Sequence, residues 1–160
     1  MVDDPQREGR YERIRAQLEE LFVKYGEACD REGRLATAVA LLHHKMTHFF
    51  WTGVYRRVGD DLVVGAYQGP LACAVLERER GVCWAGVLRN ETIVVPDVHA
   101  FPGHIACDAR SQSEIVVPLR DPDGRAIGVL DVDSEQHAAF DLRDARGLEA
   151  IVALCLRGPR

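Results

Sequence analysis

The chain has 160 residues, of which 47% are hydrophobic and 28% charged, with a formal net charge of −5 at pH 7. This length and apolar content predict one globular domain with a full core, and the acidic balance, without a basic run, argues against nucleic-acid binding. No apolar run approaches the roughly 18 residues of a membrane span, and the polar N-terminus MVDDPQREGR is unlike a signal peptide. We therefore expect a soluble, cytoplasmic protein.

Two helices are predicted at the start of the chain. Residues 11–31 show helical spacing of apolar side chains, and Gly33 separates them from a second helix. Residues 1–10 carry no such pattern, and we expect them to form a flexible N-terminal segment. The two predicted stripes consist of Ile14, Leu18, Leu21, Phe22 and Tyr25, and of Leu35, Ala38, Val39 and Leu42.

From Phe49 the composition changes to aromatic and β-branched residues, which are typical of strands. The stretches FFWTGVYRRV and LVVGAYQ flank Gly59, Asp60 and Asp61, and this arrangement predicts a β-hairpin. Residues 68–83 are predicted to form a loop. A short helix follows from near Cys83 to just before residue 90, and ETIVVPD is predicted as a strand that ends at residue 96.

The last third of the chain predicts a long loop, a second hairpin and a final helix. The loop covers residues 96–112, and long loops in compact domains are often functional. SEIVVPLR and RAIGVLDVDS then flank a turn at residues 121–124, and the final helix opens near Phe140. Strands joined by hairpins rather than by helical crossovers favour an α+β fold with a central antiparallel sheet and helices packed on it.

The chain contains five cysteines, an odd count that does not suggest a disulfide scaffold. Cys155 lies on the apolar stripe of the last helix and Cys29 near the end of the first, so both are predicted to pack in or near the core. The other three, Cys73, Cys83 and Cys107, lie in or beside loops. Cys83 follows a predicted helix start, where the helix dipole favours a thiolate.

These three loop cysteines are compatible with several roles. A zinc site with His99 or His104 is one, but the chain lacks the CxxC or HxxxH pairs that structural zinc sites usually contain. Unrelated buried thiols are a second possibility. The third is a redox pathway in which one thiol attacks a substrate and another resolves the product.

Four stretches together resemble the free methionine-(R)-sulfoxide reductase family, which is built on a GAF domain. The resemblance runs from about Trp51 to Phe140 and implies a single GAF domain over residues 1–160. It rests on GPLAC (69–73), GVC (81–83), DVHAFPGHIACDARSQSEIVVPL (97–119) and GVLDVDS (128–134).

The resemblance implies an activity and its thiol chemistry. Family members reduce the free amino acid, with a cysteine at the position of Cys107 as nucleophile. Cys73, and secondarily Cys83, is implied to resolve the sulfenic acid by forming a disulfide. The family also implies a homodimer that is recycled by thioredoxin, and neither a metal nor another cofactor is expected.

The resemblance further implies that Glu114, Asp131 and Asp133 contact the substrate, with Trp51 and Tyr55 as an aromatic wall. Carboxyl groups held close together in a dry pocket repel each other, so one of them keeps its proton near neutral pH. It could then protonate a sulfoxide oxygen, while the ionised groups hold an ammonium group. On the residues alone, the acids could equally be solvated and the aromatics could be core.

Two other functions are compatible with the sequence. One is a non-catalytic GAF sensor for a small molecule or an oxidant, although the chain has neither an NKxxF-type cyclic-nucleotide signature nor a Cys-His dipeptide for a bilin. The other is a general thiol peroxidase that uses Cys107, which would not need a carboxylate cluster to hold an amine.

Overall fold

The structure, a computed structural model, describes residues 4–104 and 107–158. Ile105 and Ala106, in the middle of the HIACDA stretch, and residues 1–3 of the expected flexible segment lie outside this range. Besides two short 3-10 helices at Gly26–Ala28 and Val98–Ala100, the described chain contains ten α-helices and β-strands. In order they are α1 (Arg7–Tyr25), α2 (Arg31–Lys45), β1 (Trp51–Val58), β2 (Asp61–Gln68), β3 (Val75–Leu76), α3 (Gly81–Arg89), β4 (Ile93–Val95), β5 (Ser113–Arg120), β6 (Ala126–Ser134) and α4 (Leu142–Arg157).

The strands form one antiparallel sheet in the order β3-β2-β1-β6-β5-β4. Both predicted hairpins are confirmed, and their turns contain Gly59 and Gly124, whose φ angles of 62° and 82° suit glycine. Strand β3 was not predicted. It contains only Val75 and Leu76, which pair with β2 at the sheet edge, and two residues are too few to show an alternating pattern.

Helices α1, α2 and α4 cover one face of the sheet and enclose the larger core. The apolar stripes predicted for these helices are largely confirmed, since Ile14, Leu18 and Leu42 are almost completely buried. The first and last of these helices approach closely, because Gly147 lies under the ring of Tyr11, where a Cβ atom would be 2.3 Å from Cγ. The strands contribute alternate residues to this core, namely Val54, Ile115, Val117, Leu119, Leu130 and Val132.

Helix α3 and the loops at residues 69–80 and 96–112 cover the opposite face. A second apolar cluster lies here, where Trp84 and Val87 of α3 pack with Val116 and Val129 of the sheet. Because side chains alternate along a strand, β5 sends Ile115 to the helical core and its neighbours to this smaller cluster. The sheet thus separates a helical layer from a layer that consists mostly of loops.

Helix α1 starts earlier than the sequence predicts. Residues 7–10 form its first turn rather than part of the flexible segment expected over residues 1–10. The reason is Arg7, which is buried and donates hydrogen bonds from Nη1 to Asp144 Oδ2 at 2.8 Å and to the Ala139 carbonyl at 3.1 Å. An apolar stripe cannot reveal a helix start that is anchored by a buried charge.

Asp144 is the centre of this buried polar network. Its carboxylate accepts hydrogen bonds from the Tyr11 hydroxyl at 2.7 Å and from the backbone N–H of Asp141 at 2.9 Å, in addition to Arg7. Burial by itself would raise the pKa of the Asp144 carboxyl, but interactions with His48, Asp141, Tyr11 and Arg7 hold it below its usual value. The network ties α1 to the start of α4.

We predict that Asp144→Ala lowers the free energy of unfolding by about 3–5 kcal/mol, because it removes the carboxylate that lies 2.8 Å from the buried Arg7 guanidinium. Since the pKa of Asp144 is lowered by folding, its contribution is present above the unfolded value of about 4 and is lost as the pH falls further. Urea unfolding at pH 7 and at pH 3 measures both effects.

Asp123→Ala is the matched control for this experiment. Its carboxylate is exposed and lies 3.4 Å from the equally exposed Arg125, so the substitution should change stability by less than about 1 kcal/mol. If Asp144→Ala has as small an effect as this control, the network does not anchor α1.

Candidate active site

A cavity of about 70 Å³ lies between the sheet, helix α3 and the two loops. The predicted site residues collect here: all of them line the cavity except Cys73, which reaches it through a disulfide bond. Those that line it are Trp51, Tyr55, Cys83, Cys107, Glu114, Asp131 and Asp133. Residues that are 82 positions apart in the sequence therefore share one site.

The cysteines fall into three groups. Cys73 and Cys107 form a disulfide whose Cα atoms are 5.7 Å apart, at the exposed rim of the cavity. Cys83 is a free thiol at the buried end. Cys29 and Cys155 belong to the helical core, as predicted, and burial raises the pKa of Cys155 to about 12.

The expectation that the helix dipole makes Cys83 a thiolate is wrong. Cys83 is the third residue of α3, but its side chain is 5% exposed and its Sγ lies 3.9 Å from Glu114 Oε1. Burial, followed by the negative charges of Asp131 and Glu114, raises the pKa of this thiol well above its usual value. A helix N-terminus cannot outweigh burial next to carboxylates.

The register of β5 and β6 brings the three carboxyl groups together. Glu114 pairs directly with Asp133, and Asp131 lies two residues further along the same face of β6. Glu114 and Asp131 are only 5% and 6% exposed, so both are withdrawn from water. Of the residues that the structure describes, Cys83, Glu114 and Asp131 are also spaced closely enough to hold a metal ion, with their ligand atoms within 4.8 Å of one another.

Crowding and burial keep protons on this cluster. Burial, followed by the charges of Asp131 and Asp133, raises the pKa of Glu114 well above its usual value, and burial raises that of Asp131 to about 6. The pKa of Asp133 is also raised, by loss of solvent and by Asp131, although the Ser111 hydroxyl donates a hydrogen bond to it. At neutral pH the cluster can therefore both donate a proton and carry negative charge.

The Asp131 carboxylate can accept hydrogen bonds from its neighbours as well as from a ligand. With the neighbouring acids counted as ionised, Asp131 Oδ1 is buried and has no hydrogen-bond donor among residues 4–104 and 107–158. The protons that Glu114 and Cys83 keep can be donated to this carboxylate, and both interactions lower its pKa against the effect of burial. A ligand with a donor or a positive charge can share this acceptor with them.

The aspartate next to Cys107 does not add a free charge to the site. Asp108 forms a two-pronged ion pair with Arg110, with contacts of 3.0 and 2.8 Å, and the guanidinium lies 4.7 Å from the centre of the Phe50 ring. Hydrogen bonds from Arg110 lower the pKa of Asp108 to about 2. The sequence analysis did not identify this pairing, although the spacing of two residues could have suggested it.

The aromatic residues form a wall and also hold the loop that carries Cys73. The Trp51 indole donates to the Pro70 carbonyl at 3.2 Å, and the Tyr55 hydroxyl donates to the Cys73 carbonyl at 3.0 Å. Gly53 lies under the indole, where a Cβ atom would be 2.3 Å from Trp51 Cη2. The WxGxY stretch thus positions one of the two disulfide cysteines.

Polar residues that were not predicted for the site also line the cavity. Ser111 orients Asp133, and Arg80 lies at the start of α3. His104, which was considered only as a zinc ligand, is half-buried and has a pKa lowered by burial and by His99. A single serine or arginine in a loop carries no pattern, so only its position in space reveals it.

The chain was compared with known proteins. Residues 31–156 match the GAF domain family. The chain is 46% identical to the free methionine-R-sulfoxide reductase of Escherichia coli over 119 residues, which cover 74% of this chain and 72% of that protein. The Saccharomyces cerevisiae protein of the same name is 35% identical over 86% of this chain and 82% of its own length.

A solved structure supports the same relationship. The free methionine-R-sulfoxide reductase from Neisseria meningitidis, solved in complex with its substrate, superposes with a TM-score of 0.87 at 39% identity. The alignment covers 98% of this chain and 91% of that one. The predicted α+β GAF fold is therefore confirmed. In the described part of the chain, no helix is long and apolar enough to cross a membrane.

We predict that Glu114→Gln stabilises the folded protein more at pH 8 than at pH 5. A carboxyl whose pKa is raised by folding binds more protons in the folded state, so its contribution to stability is lost as the pH rises. Glutamine is neutral at both pH values. The difference in unfolding free energy between variant and wild type should therefore grow by more than about 1 kcal/mol from pH 5 to pH 8.

The measurement is urea unfolding of the disulfide form at both pH values, with Glu135→Gln as control. Glu135 is exposed, so its variant should follow the wild type in parallel. If the unfolding free energies of Glu114→Gln and of the wild type also change in parallel between the two pH values, Glu114 does not keep its proton in the folded protein.

Proposed function

Because the chain belongs to the GAF domain family and, within it, to the free methionine-(R)-sulfoxide reductases, which are oxidoreductases, we propose that Cys107 is the nucleophile that reduces free L-methionine-(R)-sulfoxide to methionine. The observation that carries this proposal is the position of the Cys73–Cys107 disulfide, at the rim of a cavity whose wall holds three carboxyl groups. A disulfide at this place is the expected end state of one reductive turnover.

In this proposal the carboxyl cluster binds the polar groups of the substrate. An ionised carboxylate, with Asp131 as the best candidate because a pKa of about 6 leaves it charged at neutral pH, receives the ammonium group. A protonated member, with Glu114 as the best candidate because its pKa is raised, donates to the sulfoxide oxygen. Trp51 and Tyr55 provide the apolar surface for the S-methyl group.

The first chemical step transfers the sulfoxide oxygen to Cys107. Protonation of the oxygen makes the sulfoxide sulfur a better electrophile, and the Cys107 thiol loses its proton as it attacks this sulfur and forms a transient sulfur–sulfur bond. The hydroxyl group then moves to Cys107 Sγ, so that a new sulfur–oxygen bond forms while the sulfur–oxygen bond of the substrate and the transient sulfur–sulfur bond break. Methionine leaves as the thioether, and Cys107 is oxidised to a sulfenic acid. The thiol proton replaces the one that the carboxyl group donated, so the cluster returns to its starting state.

The second step is the condensation of Cys73 with the sulfenic acid. It releases water and gives the disulfide, which thioredoxin then reduces by dithiol exchange. The rim position of both sulfurs supports access by a protein reductant, because Cys107 is exposed and Cys73 half-buried. Cys83 is a poorer resolving thiol, since it is buried and carries a raised pKa.

We also propose that the enzyme acts as a homodimer in the cytoplasm. The homodimer derives from the family resemblance, and the cytoplasm from the polar N-terminus and from the reducing compartment that regenerates the two thiols after each turnover. The dimer can be tested by light scattering on the purified protein, where a monomer mass would exclude it.

The reductase assay follows NADPH consumption with thioredoxin and thioredoxin reductase, using separated R and S epimers of free methionine sulfoxide. We expect turnover of the R epimer, and loss of more than about 1,000-fold in Cys107→Ser, because a hydroxyl cannot replace the thiol as nucleophile. Hydrogen peroxide in place of the sulfoxide tests the peroxidase alternative. Absence of turnover with either epimer by folded, reduced protein would favour the sensor.

Single-turnover measurements distinguish the roles of Cys73 and Cys83. Cys73→Ser should release one equivalent of methionine per protein and then stop with thioredoxin, because the sulfenic acid has no partner. Cys83→Ser should keep repeated thioredoxin-dependent turnover, with an altered rate because its thiol contacts Glu114. Cys29→Ser, outside the cavity, is the unaffected control. The opposite pattern for Cys73 and Cys83 would assign resolution to Cys83.

A further inference from the structure

Among the groups that line the cavity, acidic side chains outnumber basic ones. The carboxyl groups of Glu114, Asp131 and Asp133 occupy the sheet wall, and the Asp108 charge is already paired with Arg110. Of the described residues that line the cavity, Arg80 alone carries a permanent positive charge, since His104 has a lowered pKa. A cavity built for a zwitterion needs one cation opposite its anions.

Arg80 is placed where it can meet a ligand that is held by the carboxyl cluster. It is the residue that precedes α3, with extended backbone angles of φ −122° and ψ 146°, and the next three residues also line the cavity. Its side chain is 53% exposed, which puts the guanidinium at the mouth and not at the buried end.

The guanidinium still has donors to offer. Arg80 Nη1 contacts Glu77 Oε1 at 2.8 Å, while Nε and Nη2 have no hydrogen-bond partner within residues 4–104 and 107–158. A planar guanidinium that keeps two donors can bind a carboxylate through both of them. The buried carboxyl groups of Glu114 and Asp131 line the same cavity and can hold a donor or cationic group of the same ligand.

We propose that Arg80 binds the α-carboxylate of the substrate and so restricts the enzyme to the free amino acid. This inference rests on the proposed function. A methionine sulfoxide residue inside a peptide has an amide in place of the carboxylate, so it offers Arg80 no charge. The cavity then distinguishes the free amino acid from the peptide residue, because only the free amino acid supplies a carboxylate for the Arg80 guanidinium.

The test compares two substrates in three proteins. The substrates are free L-methionine-(R)-sulfoxide and its α-carboxamide, which keeps the ammonium and sulfoxide groups. The proteins are the wild type, Arg80→Met, which keeps an apolar stem of similar length, and Arg78→Met. Arg78 lies in the same loop, but it pairs with Asp61 at 2.7 Å and does not line the cavity.

We expect Arg80→Met to lose about 10- to 100-fold in kcat/KM with the free amino acid, mainly through KM, because a charge-assisted hydrogen bond is removed. Its kcat/KM with the carboxamide should stay within about twofold of the wild type, since that substrate makes no charged contact there. Arg78→Met should match the wild type with both. Equal losses on both substrates, or no loss on the free amino acid, would overturn the assignment.

The wild-type rate with the free amino acid tests the proposed function separately. Calorimetric binding of methionine and of methionine amide to wild type and Arg80→Met decides the role of Arg80 even without turnover. If Arg80 binds the carboxylate, the variant loses affinity for methionine about 10-fold or more and keeps its affinity for the amide. Unchanged methionine binding would overturn the proposal, whether or not the chain is a reductase.

Discussion

The burial of three carboxyl groups on two paired strands is the constraint on which the rest of this structure depends. Glu114 faces Asp133 across the β5–β6 pair, and Asp131 shares their face, so the hairpin register alone sets their spacing. A slip of β5 by one residue against β6 would turn Glu114 towards the helical core, away from the two aspartates, where it would be left without a partner. The register is held on the other face by Ile115, Val117, Leu130 and Val132, which have no freedom to move into solvent.

This cluster explains why the neighbouring groups have the properties they have. Cys83 keeps its proton because it is buried beside Glu114 and Asp131, which makes it a weak nucleophile and a weak metal ligand until it is deprotonated. Asp108 lies nearer the rim and has Arg110 as its partner, so its charge adds little to the crowding. The Cys73–Cys107 disulfide lies at the rim of the cavity, where solvent can reach it.

The larger core and the cavity lie on opposite faces of the sheet. The helical face carries the larger core and the Arg7–Asp144 network, which fasten the first and last helices together. The cavity face is covered by α3 and by loops whose positions depend on a few side-chain to backbone contacts, such as Tyr55 to Cys73. Loops held this way can move to admit a substrate or a reductant, while the helical layer keeps the carboxyl cluster in register.

The sequence by itself determined the number and order of the longer helices and strands, both hairpins and the shared face of Asp131 and Asp133. These features depend on local spacing and on turn residues such as Gly59 and Gly124, which act over a few positions. The sequence did not determine the boundary between the first two helices, since α1 ends at Tyr25 and Gly33 lies inside α2. The resemblance in the HIACDA and LDVD stretches supplied the family and the candidate residues. Periodicity alone could not have separated a solvated acidic strand face from a buried one.

Only the tertiary structure decided the start of α1, the edge strand β3, the protonation of Cys83 and the presence of Arg80 in the same cavity as the carboxyl groups. Partners that are distant in the sequence explain two of these features: Asp144 lies 137 residues from Arg7, and Glu114 lies 31 residues from Cys83. Burial and the charge of such partners set pKa values, and no local pattern contains them. The sequence therefore named the candidate residues, and the fold determined their burial, their neighbours and their ionisation.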